Sequence, residues 1–137
     1  MSVPLPATKI FVNLPIKNLQ RSVEFFTQLG FRFNPRFTNN ESTCLVVSDS
    51  IYFMLLAERA FKSFTDKAIC EARTHTEALI ALTMPNREAV DEIVRKAIAA
   101  GGRTTRKPQD HGFMYGHGFE DLDGHNWEVF WMDAGAI

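Results

Sequence analysis

The sequence predicts an α+β fold of two βαβββ repeats, forming a curved, mostly antiparallel sheet with helices on the outer face and a ligand cleft inside. Three observations carry this expectation. The apolar residues switch twice from a period of two to a helical period and back. Each helical segment opens on an asparagine and stops at a glycine, Asn18 to Gly30 and Asn86 to Gly101. The asparagines are offset by 68 residues and the glycines by 71, close enough to indicate an internal duplication. The 137 residues suit a single domain, with repeat one at about 9–57 and repeat two at about 77–133. Neither repeat has enough surface to bury a core alone, so the two are expected to pair.

The elements follow in order. From Lys9 to Ile16, Phe11, Asn13 and Pro15 alternate with Val12, Leu14 and Ile16, which predicts a strand with one apolar and one mixed face. Pro15 puts that strand at an edge or near its own end. Leu19, Val23, Phe26 and Leu29 then share one helical face. Strand-like runs follow at Phe31–Phe37, Cys44–Ser48 and Ile51–Leu56, with turns at Asn39-Asn40 and Asp49-Ser50. Glu58 to Thr76 is read as a connection anchored to the core by Phe61 and Phe64, with a short helix or lid as the alternative. Ala78–Met84 is the next strand. Asn86 caps a helix whose stripe is Ala89, Val90, Ile93, Val94, Ala97 and Ile98. Strands are then predicted at Arg103–Lys107, Phe113–Glu120 and Asn126–Met132, with a turn at Asp121–Gly124.

Composition narrows the function classes. Fifteen Lys and Arg against 16 Asp and Glu leave a net charge of -1, without the basic excess of a nucleic-acid binder. The longest apolar run, Ile51–Ala57, is too short to cross a bilayer, so no membrane partner is expected. Met1–Pro6 has no basic region leading into an apolar block, so no signal peptide is expected. Cys44 and Cys70 fit neither a disulfide framework nor a zinc module, which predicts a cytoplasmic protein with reduced thiols. Twelve of the 16 aromatics are Phe, which suits either a dry core or an apolar pocket.

Three segments carry a family resemblance. They are Ile10–Leu19 running through Ser22–Phe26 to Leu29-Gly30-Phe31, then Asn86–Glu92 with Ala99–Gly102, and Phe119–Val129. Together they resemble the glyoxalase / bleomycin-resistance protein / extradiol dioxygenase superfamily, the vicinal oxygen chelate proteins. The resemblance covers essentially the whole chain. It implies the paired βαβββ fold and a homodimer. It leaves the reaction open, since members include isomerases, dioxygenases, fosfomycin-type transferases and drug-sequestering proteins.

The resemblance also implies where a metal would bind. Catalytic members hold one divalent ion through the first and last strands of each repeat. The matching positions here are Phe11, with Asn13 as a weak substitute; the run Phe53–Leu56; the run Leu79–Leu82; and Glu128. Only Glu128 is a ligand of the family's kind, so the usual metal site is expected to be lost and no cofactor is predicted. The alternative is one divalent metal ion held in another arrangement by Glu128 and His117, with His125 nearby. Against that, His125 follows the turn glycine and is expected to face solvent or cap the hairpin.

Glu128 is the candidate catalytic residue. It shares a strand face with Phe130 and Met132, where burial would raise its pKa and suit it to acid–base work. Its alternative role is a structural partner for Tyr115, His117 or an arginine. Phe11, Asn13, Tyr115 and His117 are the candidate ligand-binding residues. Tyr115 and His117 share a face with Phe113 and Phe119, which either lines the cleft or lies under the helices. Trp127 and Trp131 stand on the face opposite Glu128. Asp121, Asp123 and Gly124 read as a structural turn.

The function expected from all this is binding of a small, partly apolar molecule in a Phe-rich cleft without a metal. The alternative is an enzyme using Glu128. It would be a metal-dependent isomerase resembling lactoylglutathione lyase, or a dioxygenase-like protein.

Overall fold

The computed structural model describes residues 5–136. The chain runs β1 (Ile10–Ile16), α1 (Leu19–Gln28), β2 (Arg32–Asn34), β3 (Ser42–Val46), β4 (Ile51–Ala57), α2 (Glu58–Lys62), β5 (Leu79–Thr83), α3 (Arg87–Ala99), β6 (Gln109–Asp110), β7 (Met114–Glu120) and β8 (Asn126–Met132). The strands pair into two four-stranded sheets, ordered β1-β4-β3-β2 and β5-β8-β7-β6. Each sheet pairs its first strand parallel to its last and is antiparallel elsewhere. The second sheet therefore repeats the first, and the fold is α+β with two βαβββ-like modules. Among the described residues no helix is long and apolar enough to cross a membrane.

By their contacts the residues form two compact units. One holds residues up to Gln20 together with Phe31–Ile69; the other holds Arg21–Gly30 and the chain from Cys70 onward. In the first unit, Leu45 and Phe53 lie opposite each other across β3 and β4. Leu14 and Leu55 do the same across β1 and β4, and all four are buried. The other face carries Phe11 opposite Tyr52 and Asn13 opposite Met54. The Phe11 and Tyr52 rings stack at 4.6 Å.

The second unit takes in most of α1. Phe25 and Phe26 on this helix are buried, and their rings meet those of Phe119 at 6.3 Å and Trp127 at 5.3 Å. Ser22 donates to Asp123 at 3.4 Å. The first repeat's helix is thus held by an aromatic cluster on the second repeat's sheet. Burying two Phe side chains this completely contributes roughly 3–6 kcal/mol of apolar transfer. Four of the twelve Phe (Phe25, Phe26, Phe53 and Phe119) are core residues.

Helix α3 has the ends that its sequence predicts. Asn86 accepts from the Ala89 amide at 2.8 Å. At the other end Gly101 takes φ +106°, Gly101 N–H donates to Ile98 and Gly102 N–H donates back to Ala97, closing the last turn. Val90, Ile93, Val94 and Ala97 are buried, whereas Ile98 at the end of the stripe is exposed.

Three expected elements differ. β2 stops at Asn34 because Pro35 begins a 3₁₀ turn, in which the Asn34 side chain accepts from Arg36 N at 3.0 Å. The segment after β4 forms the short helix α2, closed by bonds from Ser63 and Phe64 back to Ala60 and Phe61. That closing turn leaves Phe64 78 % exposed, so it does not anchor the core. The strand expected at Arg103–Lys107 is reduced to a single bridge from Arg103 to Glu120, followed by the two-residue β6.

Candidate functional site

The turn between β7 and β8 aligns the candidate site. Asp121 is buried, and one carboxylate oxygen accepts from the amides of Asp123 at 2.9 Å and His125 at 3.0 Å. The other accepts from the Trp127 indole at 3.0 Å. Burial pushes the Asp121 carboxyl above its ordinary pKa, against the pull of His125 and the indole. Gly124 takes φ +90°, and a Cβ there would lie 2.8 Å from the Arg73 backbone. Of the two placements expected for His125, solvent or a cap on the hairpin, the first does not hold, while its backbone closes the turn by bonding Asp121 in both directions. His125 is 1 % exposed, with Nδ1 2.6 Å from the Glu77 carboxylate, because the turn folds the ring inward against the segment before β5.

The β7–β8 register settles which residues share a face. Tyr115, His117 and Phe119 stand opposite Trp131, Val129 and Trp127, while Met114, Gly116 and Gly118 stand opposite Met132, Phe130 and Glu128. The first set is the side that meets the helices. Tyr115 donates from its hydroxyl to Asp91 on α3 at 2.5 Å. That bond, with burial, pushes the Tyr115 pKa up to about 12. Arg87 lies over the Tyr115 ring at 5.3 Å and the Trp131 ring at 5.0 Å, and pairs with Asp110 at 2.6 Å. Tyr115 therefore ties α3 to the sheet.

The second set floors a cavity of about 600 Å³, with Leu79 from β5. Its wall is the segment Arg103–Lys107 with Gln109. That wall exists because of a mismatch in residue number. Arg103 pairs with Glu120 and Gln109 with Gly116, so six steps of this segment span four steps of β7. The two surplus residues cannot stay in the ladder and are pushed off it, as in a large bulge. Two side chains fasten the displaced segment. Thr104 donates to the Gly118 carbonyl at 2.7 Å, and His117 Nε2 donates to the Arg106 carbonyl at 2.8 Å.

Glu128 projects from the floor. The sequence predicts it to be buried on an apolar face; it is exposed, because the cavity opens above it and glycine stands opposite. A Cβ on Gly118 would lie 2.7 Å from one carboxylate oxygen and 3.1 Å from the other. The missing side chain is thus the seat of the carboxylate. Among the described residues the Glu128 side chain makes no hydrogen bond or ion pair, so the partnership considered with Tyr115, His117 or an arginine is not formed.

The other candidates fall as follows. His117 lines the cavity edge, with its ring engaged by the wall. Tyr115 does not line it. Phe11 and Asn13 lie on β1 in the first unit; Phe11 is 46 % exposed, and the Asn13 amide donates to the Phe11 carbonyl at 3.4 Å. Neither lines this cavity. Phe130 lies on the floor, while Phe119 only borders the cavity, its ring packed on Phe25 toward the helices. Arg103, Arg106, Lys107 and Gly118 were not anticipated as site residues. The alternating glycines at 116 and 118 are the sequence signal that could have marked the open floor around Gly118; no local signal marks the three cations.

The strand registers also test a family-type metal site. Ala81 is the β5 partner of Glu128. An alanine beside a single carboxylate is a poor donor set for a divalent ion. Among the described residues no three His, Cys, Asp or Glu side chains gather to hold one. The thiols are raised in pKa, Cys44 by burial and Cys70 by desolvation and then Glu77, which suits neither to act as a nucleophile.

Comparison with known proteins adds to this geometry. The sequence profile of the Glyoxalase/Bleomycin resistance protein/Dioxygenase superfamily matches residues 10–129. No curated protein matches the sequence. A hypothetical protein from S. aureus is 25 % identical, with a TM-score of 0.78 over 90 % of this chain and 92 % of its own. A glyoxalase/bleomycin resistance protein/dioxygenase family enzyme from Burkholderia phytofirmans PsJN is 19 % identical, with a TM-score of 0.73 over 89 % and 96 %. A genomically encoded fosfomycin resistance protein from Listeria monocytogenes is 15 % identical, with a TM-score of 0.66 over 98 % of both chains. The last two likenesses are of fold.

Proposed function

The chain belongs to the Glyoxalase/Bleomycin resistance protein/Dioxygenase superfamily, and within it we propose that the protein binds a small, partly apolar molecule in the cavity of its second βαβββ module, without a metal ion. The observation that carries this reading is the cavity, whose about 600 Å³ falls in the range of small-molecule sites. Leu79, Met114, Phe130 and Met132 offer an apolar floor, and Glu128 a carboxylate set among them. The same reading takes the protein to be a cytoplasmic homodimer.

A thermal-shift screen of aromatic and drug-like compounds tests the reading, with elemental analysis of the untagged protein. Hits that raise Tm, weakened by Phe130→Ala, are expected, with metal well below one per chain. A stoichiometric metal lost in Glu128→Gln would overturn the metal-free part.

The unpaired Glu128 carboxylate also supports a second reading, an isomerase-like enzyme in which it takes a proton from bound substrate. Turnover of a hemithioacetal that disappears in Glu128→Gln would favour it over simple binding.

A further inference from the structure

We infer that this cavity selects a small organic anion that also carries a hydrogen-bond donor set apart from its acidic group, on an apolar body. The inference rests on the proposed binding function and narrows its ligand class. It starts from the charges around the cavity. The wall brings three cations, Arg103, Arg106 and Lys107, and the floor brings two carboxylates, Glu120 and Glu128.

These charges are not equivalent. Arg103 and Glu120 exchange both backbone hydrogen bonds, at 3.1 and 2.7 Å, which sets their side chains opposite each other across the bridge. No ion pair closes between them among the described residues, but the bridge gives each an opposite charge on the neighbouring strand. Arg106 and Lys107 sit in the displaced part of the wall, and Asp110 beyond them is taken by Arg87. Among the described residues neither Arg106 nor Lys107 forms an ion pair, and their side chains make no hydrogen bond. His117 cannot offset them, since an imidazole is neutral or cationic, and its Nε2 is engaged by the Arg106 carbonyl. The wall thus presents two uncompensated cations and the floor one uncompensated carboxylate.

A ligand that satisfies both has an anionic group toward the wall and a hydroxyl or amine toward Glu128. Only Gly118 separates Glu128 from the displaced wall, and the strip beside them, Phe130 and Met132 opposite Gly116 and Met114, is apolar and takes the body of the molecule. A purely apolar ligand would leave all three charges facing a drier cavity, which is unfavourable. A purely cationic ligand would meet the wall's repulsion.

Four matched probes separate the terms: para-coumarate (anion and donor), cinnamate (anion alone), methyl para-coumarate (donor alone) and methyl cinnamate (neither). Each is titrated calorimetrically into the full chain at low and high salt. Para-coumarate is expected to bind tightest, by about tenfold over its methyl ester, with the gap closing at high salt. The Arg106→Gln/Lys107→Gln double variant should erase the acid-over-ester preference while leaving the ester affinities in place. Glu128→Gln should erase the preference for the phenol but keep that for the acid. Unchanged Tm in both variants shows that the fold is intact. Esters that bind as tightly as the acids would overturn this inference and leave cavity binding standing. Failure of all four at millimolar concentration would overturn both.

Discussion

Replacing Asp121 should uncouple the β7–β8 turn from the core, and the cost can be worked from three hydrogen bonds. Asp121→Ala strands the amides of Asp123 and His125 and the indole N–H of Trp127. A buried donor left without a partner costs about 1–3 kcal/mol. The two amides sit in a turn that can open to water, so they fall at the low end of that range. The Trp127 indole is 0 % exposed and falls at the high end. Against this, alanine removes a carboxyl whose ionised form is disfavoured by burial. The net expectation is about 3 kcal/mol of lost stability. Asp121→Asn provides the internal control. Its carbonyl can still accept both amides, but its NH₂ meets the indole N–H, so one bond is lost, about 1–2 kcal/mol.

Urea unfolding followed by tryptophan fluorescence measures both variants. The pH dependence adds an independent check. A carboxyl raised in the folded state contributes stability that is complete below the unfolded carboxyl pKa, about 4. That contribution is lost as pH rises through the raised folded value. The margin of wild type over Asp121→Asn should therefore be widest in acid and narrow toward neutrality. A loss under about 1 kcal/mol in Asp121→Ala would refute the account, as would an Asn variant as damaged as the alanine one.

Three further outcomes are expected. Gly124→Ala should lower stability by roughly 2 kcal/mol or more, because it adds the left-handed penalty to a contact with rigid Arg73 and Ala72 backbone; a Tm within a degree of wild type would contradict this. Gly118→Ala should leave stability nearly unchanged, since its Cβ meets only the movable end of Glu128, yet weaken binding of donor-bearing ligands by displacing that carboxylate; calorimetry and a Tm measurement on the same sample separate the two effects. Tyr115→Phe should cost about 1 kcal/mol at neutral pH through the lost bond to Asp91. The wild type's margin over Tyr115→Phe should fall as pH rises from the unfolded phenol value near 10 through about 12, where the folded phenol ionises, and a pH-independent margin would show that the phenol does not titrate as described.

The fold was legible wherever a signal was local. The Asn86 cap and the positive-φ stops at Gly30 and Gly101 depend on residues a few positions apart, and each is where the sequence puts it; the stripes hold less closely, since α1 buries Ser22 and Phe25 rather than Leu19 and Val23, and Ile98 of α3 is exposed. The site was less legible because its determinants are cross-strand. Glu128 reads as buried beside Phe130 and Met132, but its exposure depends on Gly118, ten residues away in the chain and opposite in the ladder. The side taken by Tyr115 is decided by Asp91 on α3. Arg103–Lys107 is predicted as a strand, and only the pairing of Arg103 and Gln109 with β7 shows that the segment holds two residues too many. The Phe excess is compatible with core or pocket from composition alone. Phe25 and Phe26 joined the core because α1 packs on Trp127 and Phe119.

That surplus in the segment facing β7 has an evolutionary consequence. The residues that would discriminate ligands, Arg106 and Lys107, belong to no strand and hold no core contact, whereas the scaffold beneath them is fixed by ladder pairing and the Asp121 turn. Lengthening such a segment costs slowly, about 0.6 kcal/mol for each doubling of a flexible loop. Mutations there can change what is bound while leaving the folding equilibrium nearly untouched. Descendants of one gene could therefore diverge in ligand preference through this segment first, long before the sheets record any change.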